Sequence, residues 1–121
     1  MPDVTRQGYP RGVTTRDSMR TLDAAALIEA ASRLDSCTGH PARLQDALRH
    51  NLRLWTVLRG ELMRPDHEMP MDLRVDLMRL SAFVDRQTLE ILAWPELGSE
   101  MLRALIDINR SVAAGLAVAA L

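Results

Sequence analysis

The chain has 121 residues, 47% of them apolar, enough for one domain with a core of moderate size that folds without disulfides or structural metals. Fifteen basic residues, all Arg, against sixteen acids leave a net charge of −1, which argues against a dedicated nucleic-acid binder with a strongly basic face. Four aromatic residues, Tyr9, Trp55, Phe83 and Trp94, leave the core to Leu, Ala, Ile, Val and Met, so an all-α protein is expected, a compact bundle of about four helices with a flexible N-terminal arm.

Residues 1–16 hold Gly8, Pro10 and Gly12, three Arg and no apolar period, and read as that arm, followed by a single helical domain over 17–121. No basic segment followed by an apolar run marks a secretory signal, and a cytoplasmic location is expected. A first helix should begin near Thr15 to Ser18, whose side chains cap free amides, with Leu22, Ala26, Leu27, Ala30, Ala31 and Leu34 as its apolar face. Cys37 sits in a loop that Gly39 ends, and the lone thiol rules out an internal disulfide. Pro41 suits the first position of the next helix.

That second helix, over 41–63, organises the rest. Leu44, Leu48, Trp55, Leu58 and Leu62 recur at steps of three and four, and Asn51 falls on the same stripe. Trp55 and Leu58 are core candidates, and a buried Asn51 amide needs partners on neighbouring elements. Arg64-Pro65 ends the helix. A third helix from Pro70 carries Leu73, Leu77, Leu80, Val84, Thr88 and Ile91, widened by Phe83, and closes at Trp94-Pro95. Gly98-Ser99 precedes a fourth, with Leu102, Leu105, Asn109, Val112 and Leu116 on its stripe and Ile106 and Ile108 beside it. Asn109 repeats the place of Asn51, so both amides should be buried and bonded to other helices, each being a candidate partner for the other. The ten residues Val112 to Leu121 are too few to span a bilayer.

His40, His50 and His67 show no metal-ligand spacing, Cys37 has no base or oxyanion cradle in its motif, and no glycine-rich phosphate loop is present. No enzyme, cofactor or metal site is expected. Arg49, Arg53 and Arg59 make a partial basic strip, but Asp46 and Glu61 among them favour a solvated helix face. Met63, Met69 and Met71 surround the turn between the second and third helices, where methionine serves either as core filler or as an adaptable partner surface.

Three blocks of sequence, Asn51-Leu52-Arg53-Leu54-Trp55-Thr56, Leu73-Arg74 leading to Leu80 and Phe83-Val84-Asp85-Arg86, and Ile108-Asn109-Arg110-Ser111-Val112 with Gly115-Leu116, resemble the FlaF family of alphaproteobacterial flagellar biosynthesis regulators. The resemblance runs from about Thr15 to Leu116. It implies a small cytoplasmic helical protein without catalytic residues, needed for flagellin production and filament assembly. It further implies flagellin as a partner, bound in chaperone-like fashion, and the regulator FlbT acting alongside. An action on flagellin message, direct or through that regulator, is the alternative. An apolar holding surface would draw on Met63, Met69 and Met71 together with Val112, Leu116 and Leu121 of the apolar C-terminal segment, with Arg86 and Arg110 at its rim.

Overall fold

A computed structural model describes residues 13–37 and 39–119, with side chains from residue 22 onward except those of residues 97 and 119. Helix α1 spans Val13–Ser36, α2 Pro41–Leu62, α3 Met71–Ala93 and α4 Ser99–Ala119, with a 3-10 turn at Pro95–Leu97. The described residues thus form an all-α bundle of four helices. Residues 1–12 of the expected arm lie outside the described residues, while 13–16 already belong to α1.

Each boundary has a local cause. Gly39 takes φ +84, a conformation that side chains disfavour, and turns the chain from α1 toward Pro41. After α2, Arg74 reaches back from α3 and donates through Nε and Nη2 to the Leu62 carbonyl at 2.9 and 2.5 Å and through Nη2 to the Arg64 carbonyl at 3.0 Å. A guanidinium there satisfies helix-end carbonyls and sits at the negative end of the helix dipole. At the close of α3 the Trp94 amide bonds to Glu90 at 2.8 Å, Pro95 stops the ladder, and the 3-10 turn follows. A Cβ at Gly98 would lie 3.1 Å from the Ile91 side chain and 3.2 Å from the Pro95 carbonyl, so a side chain there would require its neighbours to give by a few tenths of an ångström.

The connections are short and successive helices run antiparallel. Leu27 of α1 meets Asn109 of α4, Asp35 meets Arg103, and Arg59 of α2 meets Asp85 of α3. The longest shared face is between α1 and α4, where Ala24, Ala30, Ala31 and Ala113 are buried and let the two backbones come close. The α2–α3 and α1–α2 pairs follow, and α3 and α4 are the least closely packed neighbours.

The buried face of α1 is Ala24, Leu27, Ala30, Ala31 and Leu34. Leu22, read as part of that face, is 68% exposed instead. Two residues before Ala24, it points about 200° away around the helix. On α2 the stripe from Leu48 through Asn51, Trp55 and Leu58 to Leu62 is buried, with Leu44 half-buried. On α3 the fully buried residues are Ser81, Val84, Thr88 and Ile91. Leu77, Leu80 and Phe83, expected as core, are only half-buried, Leu77 and Leu80 packing against the core from its edge, and Leu73, in the first turn of α3, is exposed.

Candidate interaction surface

Four buried groups tie three helices together at the centre of the bundle. The Trp55 indole N–H donates to Asn109 Oδ1 at 2.9 Å, and Asn109 Nδ2 donates both to Asn51 Oδ1 at 2.7 Å and to the Leu27 carbonyl at 3.2 Å. Asn51, Asn109 and Trp55 are all essentially inaccessible, which makes these bonds necessary for a packed core. Asn51 Nδ2 finds no acceptor among the described residues. A second link is at the α2–α3 interface, where Arg59 Nη1 donates to Asp85 Oδ2 at 2.6 Å and to Ser81 Oγ at 3.1 Å. The residues that carry the sequence resemblance therefore include Asn51, Trp55, Arg74, Asp85 and Asn109, whose side chains hold one helix to another.

With these links in place, α3 shows two different flanks. Arg74, Ser81 and Asp85 lie on the side bonded to α2. Around the ridge of Val84, Thr88 and Ile91, helical geometry puts Leu80 and Phe83 on the opposite side, toward α4, together with Asp76, Gln87 and Glu90. On α4, Arg103 and Arg110 reach Asp35 of α1 at 3.7 and 3.4 Å, so the α1 side of this helix is fixed. Met101, Ile108 and Val112, on the other side, are half-buried and face α3. Between these two sets lies a seam of half-buried apolar side chains, edged on α3 by Asp76, Gln87 and Glu90. Its outer edge on α4 is formed by Ala104, Ser111 and Gly115, without a charge, and a Cβ placed on Gly115 would have no neighbour within 4 Å.

The residues proposed from sequence as a holding surface separate into different places. Met63 and Met71 are 65% and 66% exposed beside the α2–α3 turn. Met69 is buried, its backbone N–H donating to His67 Nδ1 at 3.2 Å, so it is core filler and not open surface. Leu116 is likewise buried, Val112 is half-buried in the seam, and Leu121 lies outside the described residues. Arg86 stands on the α3 rim with its guanidinium carbon 6.0 Å from the centre of the Phe83 ring. Arg110 is directed to α1 and does not share that rim. Sequence reading missed Ala104, Ile108, Ser111 and Gly115 as a group, although their steps of three and four form a second uncharged stripe on α4.

Two other features complete the surface. A concavity of about 240 Å³ lies between the start of α2 and the end of α3, lined by Pro41, Leu44, Leu48, Ile91, Leu92 and Pro95. Between α1 and α2, the Asp23 carboxyl is pushed up to about 6 by its burial and by the charge of Glu61, to which it hydrogen-bonds. Among the described residues no group of three or more His, Cys, Asp or Glu could hold a metal ion, and no helix is long and apolar enough to cross a membrane. What the geometry offers is apolar contact area with a charged rim.

Neither the curated proteins nor the solved structures include a match to this chain. The family model described as flagellar protein FlaF matches residues 5–116, nearly the whole chain, and the protein belongs to the FlaF family.

Proposed function

We propose that this flagellar protein binds flagellin in the cytoplasm before export, in a chaperone-like role that supports flagellin production. The single observation that supports the reading is that α3 and α4 are the least closely packed neighbouring helices, with Leu80, Phe83, Ile108 and Val112 half-buried along their contact. Flagellin's terminal segments are amphipathic and unpaired before assembly, and a groove between helices is a usual way to cover such a segment. Membership of the FlaF family supports a flagellar role, and the exposed apolar side chains of Leu73, Met63 and Met71 supply further contact area near one end of the seam.

The test is co-purification of flagellin and RNA from one lysate at low and at raised salt. Flagellin retained at both salt levels is the expected result, because apolar burial tolerates salt. RNA retained without flagellin, and released steeply by salt as counterion release requires, would overturn the reading in favour of an action on flagellin message.

A further inference from the structure

We propose that the concavity between the start of α2 and the end of α3, with the apolar line of α3 that leads into it, binds an amphipathic helix of a protein partner that brings one large apolar side chain and acidic flanks. This surface is on the α2 side of α3, away from the contact with α4, and it is independent of the flagellin reading. Val75, Met78, Ala82 and Leu89 recur on that side at steps of three, four and seven, and Leu92 carries the line into the concavity. Val75 and Leu89 are 38% and 59% exposed, Ala82 is exposed and Met78 is half-buried. Asp85, the acid on this line, is held by Arg59 at 2.6 Å. The concavity of about 240 Å³ falls below the roughly 300 to 1,000 Å³ of small-molecule pockets, which favours a single side chain over a free ligand. Both its walls are helices, so no strand edge is open to an extended segment and a helix is the fitting bearer of that side chain.

Charge selects the flanks of that helix. Arg49 and Arg53 are exposed on α2, and neither is in an ion pair among the described residues. Arg59 and Glu61, which follow them in sequence, turn away to Asp85 of α3 and Asp23 of α1. Because Arg59 meets Asp85 and the two helices run antiparallel, Arg53 and Arg49 fall alongside Leu89 and the mouth of the concavity. Arg86, three positions before Leu89, flanks it from α3. Of the nearby acids, Glu90 points to the α4 side, Glu96 lies beyond Pro95, and Asp46 precedes Arg49 by three positions. The partner's acids therefore belong over Leu89, between Arg49, Arg53 and Arg86. A carboxylate brought there beside apolar contact is partly shielded from water and gains more than an exposed surface pair does.

From Val75 to Leu92 the line is about 26 Å long, which a bound helix of about 18 residues matches. The experiment titrates two fluorescent helical peptides of that length into the full-length protein. Both carry Leu on a three-and-four stripe with a Phe near one end, and their flanks are Glu in one and Lys in the other. The Glu peptide should bind at least roughly tenfold more tightly than the Lys peptide, and Ala in place of its Phe should cost roughly fivefold. Val75→Gln with Leu89→Gln, at exposed positions, should weaken the Glu peptide roughly fivefold or more at unchanged Tm, and Ala82→Gln reads the same face should that pair melt early. Arg49→Glu with Arg53→Glu should invert the preference between the peptides, and Leu22→Gln, an exposed position on α1, should bind like the parent protein. Equal or tighter binding of the Lys peptide by the parent, or a preference that survives the arginine changes, would overturn the acidic partner. Affinity for the Glu peptide kept within roughly twofold by the apolar variants, or lost equally in Leu22→Gln, would overturn this face. Saturable binding of neither peptide would overturn the surface altogether.

Discussion

The Asn109 amide donates to the Asn51 amide at 2.7 Å across the centre of the bundle, between two helices, α4 and α2, whose backbones stay apart. Only side chains bridge that diagonal, so the two amides and Trp55 add a central tie to the α1–α2 and α3–α4 faces through which the α1–α4 pair sits on the α2–α3 pair. The bonds are unequally shared. Asn109 makes three of them and Asn51 one, with Asn51 Nδ2 left without a partner.

That asymmetry predicts an order of mutational costs. Asn109→Ala strands the buried Trp55 N–H and Asn51 Oδ1 and should cost about 2 to 4 kcal/mol, since each unsatisfied buried group costs about 1 to 3 kcal/mol. Asn51→Ala leaves Asn109 bonded to Trp55 and Leu27 and also removes an unpartnered amide hydrogen donor, so it should cost less, about 1 kcal/mol. Urea denaturation of the two single variants decides the matter. Equal losses would mean that the cavity left by each side chain, and not the hydrogen bonding, sets the cost.

The α2–α3 turn depends on Arg74 in a different way. Its Nε and Nη2 converge on the Leu62 carbonyl while Nη2 also serves Arg64, an arrangement that needs the planar guanidinium fork. Arg74→Met should lower stability by about 1 to 2 kcal/mol, and Arg74→Lys should recover less than half of the loss. Thermal melts of the three proteins give the comparison. Full recovery by Lys would show that charge at the helix end suffices and that the fork is immaterial.

Much of the fold was legible because the helical stripes are long and the breakers strong. Pro41, Pro65, Pro95 and Gly39 mark the helix boundaries to within a few residues, and Asn51 and Asn109 stand out as polar positions on apolar seams. What was not legible depends on which neighbour each helix chooses. Leu22 and Ala26 read as part of one broad face with Leu27 until α4 selects the alanine-lined side through Ala24 and Ala31. Leu73, Leu80 and Phe83 look like core until α3 is seen to lean on α2 through Arg59 and Arg74. How closely α3 and α4 approach each other depends on that lean, although the uncharged stripe of Ala104, Ile108, Ser111 and Gly115 on α4 is readable by itself.

Asp23 predicts the sign of a pH effect. Its folded-state value, raised from 3.8 to about 6, means that the folded protein binds the extra proton more readily than the unfolded chain. The resulting stabilisation is full below about pH 4 and is lost as pH rises through about 6. Asp23 is half-buried, so solvent screening reduces the effect to about 1 kcal/mol. His50, held below its usual range by partial burial and by Arg33 and Arg53, works in the opposite direction, which makes the difference between variant and parent the useful quantity. Asp23→Asn should be more stable than the parent protein at pH 7.5 and should lose that advantage by pH 4.5. Parallel stability curves across this range would show that Asp23 does not couple folding to pH.

The three methionines near the α2–α3 turn should respond unequally to one substitution. Met69 is 7% exposed and packs in the core, so Met69→Ser removes apolar volume and introduces a hydroxyl where none is matched, at a cost of about 2 to 4 kcal/mol. Met63 and Met71 already face solvent, and the same change at either should stay within about 0.5 kcal/mol. Their contribution to flagellin holding, if they extend the apolar contact beyond the seam, would appear as weaker binding at unchanged stability, whereas Met69→Ser would weaken binding only in proportion to the fraction unfolded. Denaturation and flagellin titration on the same three variants separate these cases. A stable Met69→Ser protein with lost affinity would return Met69 to the binding surface and contradict its place in the core.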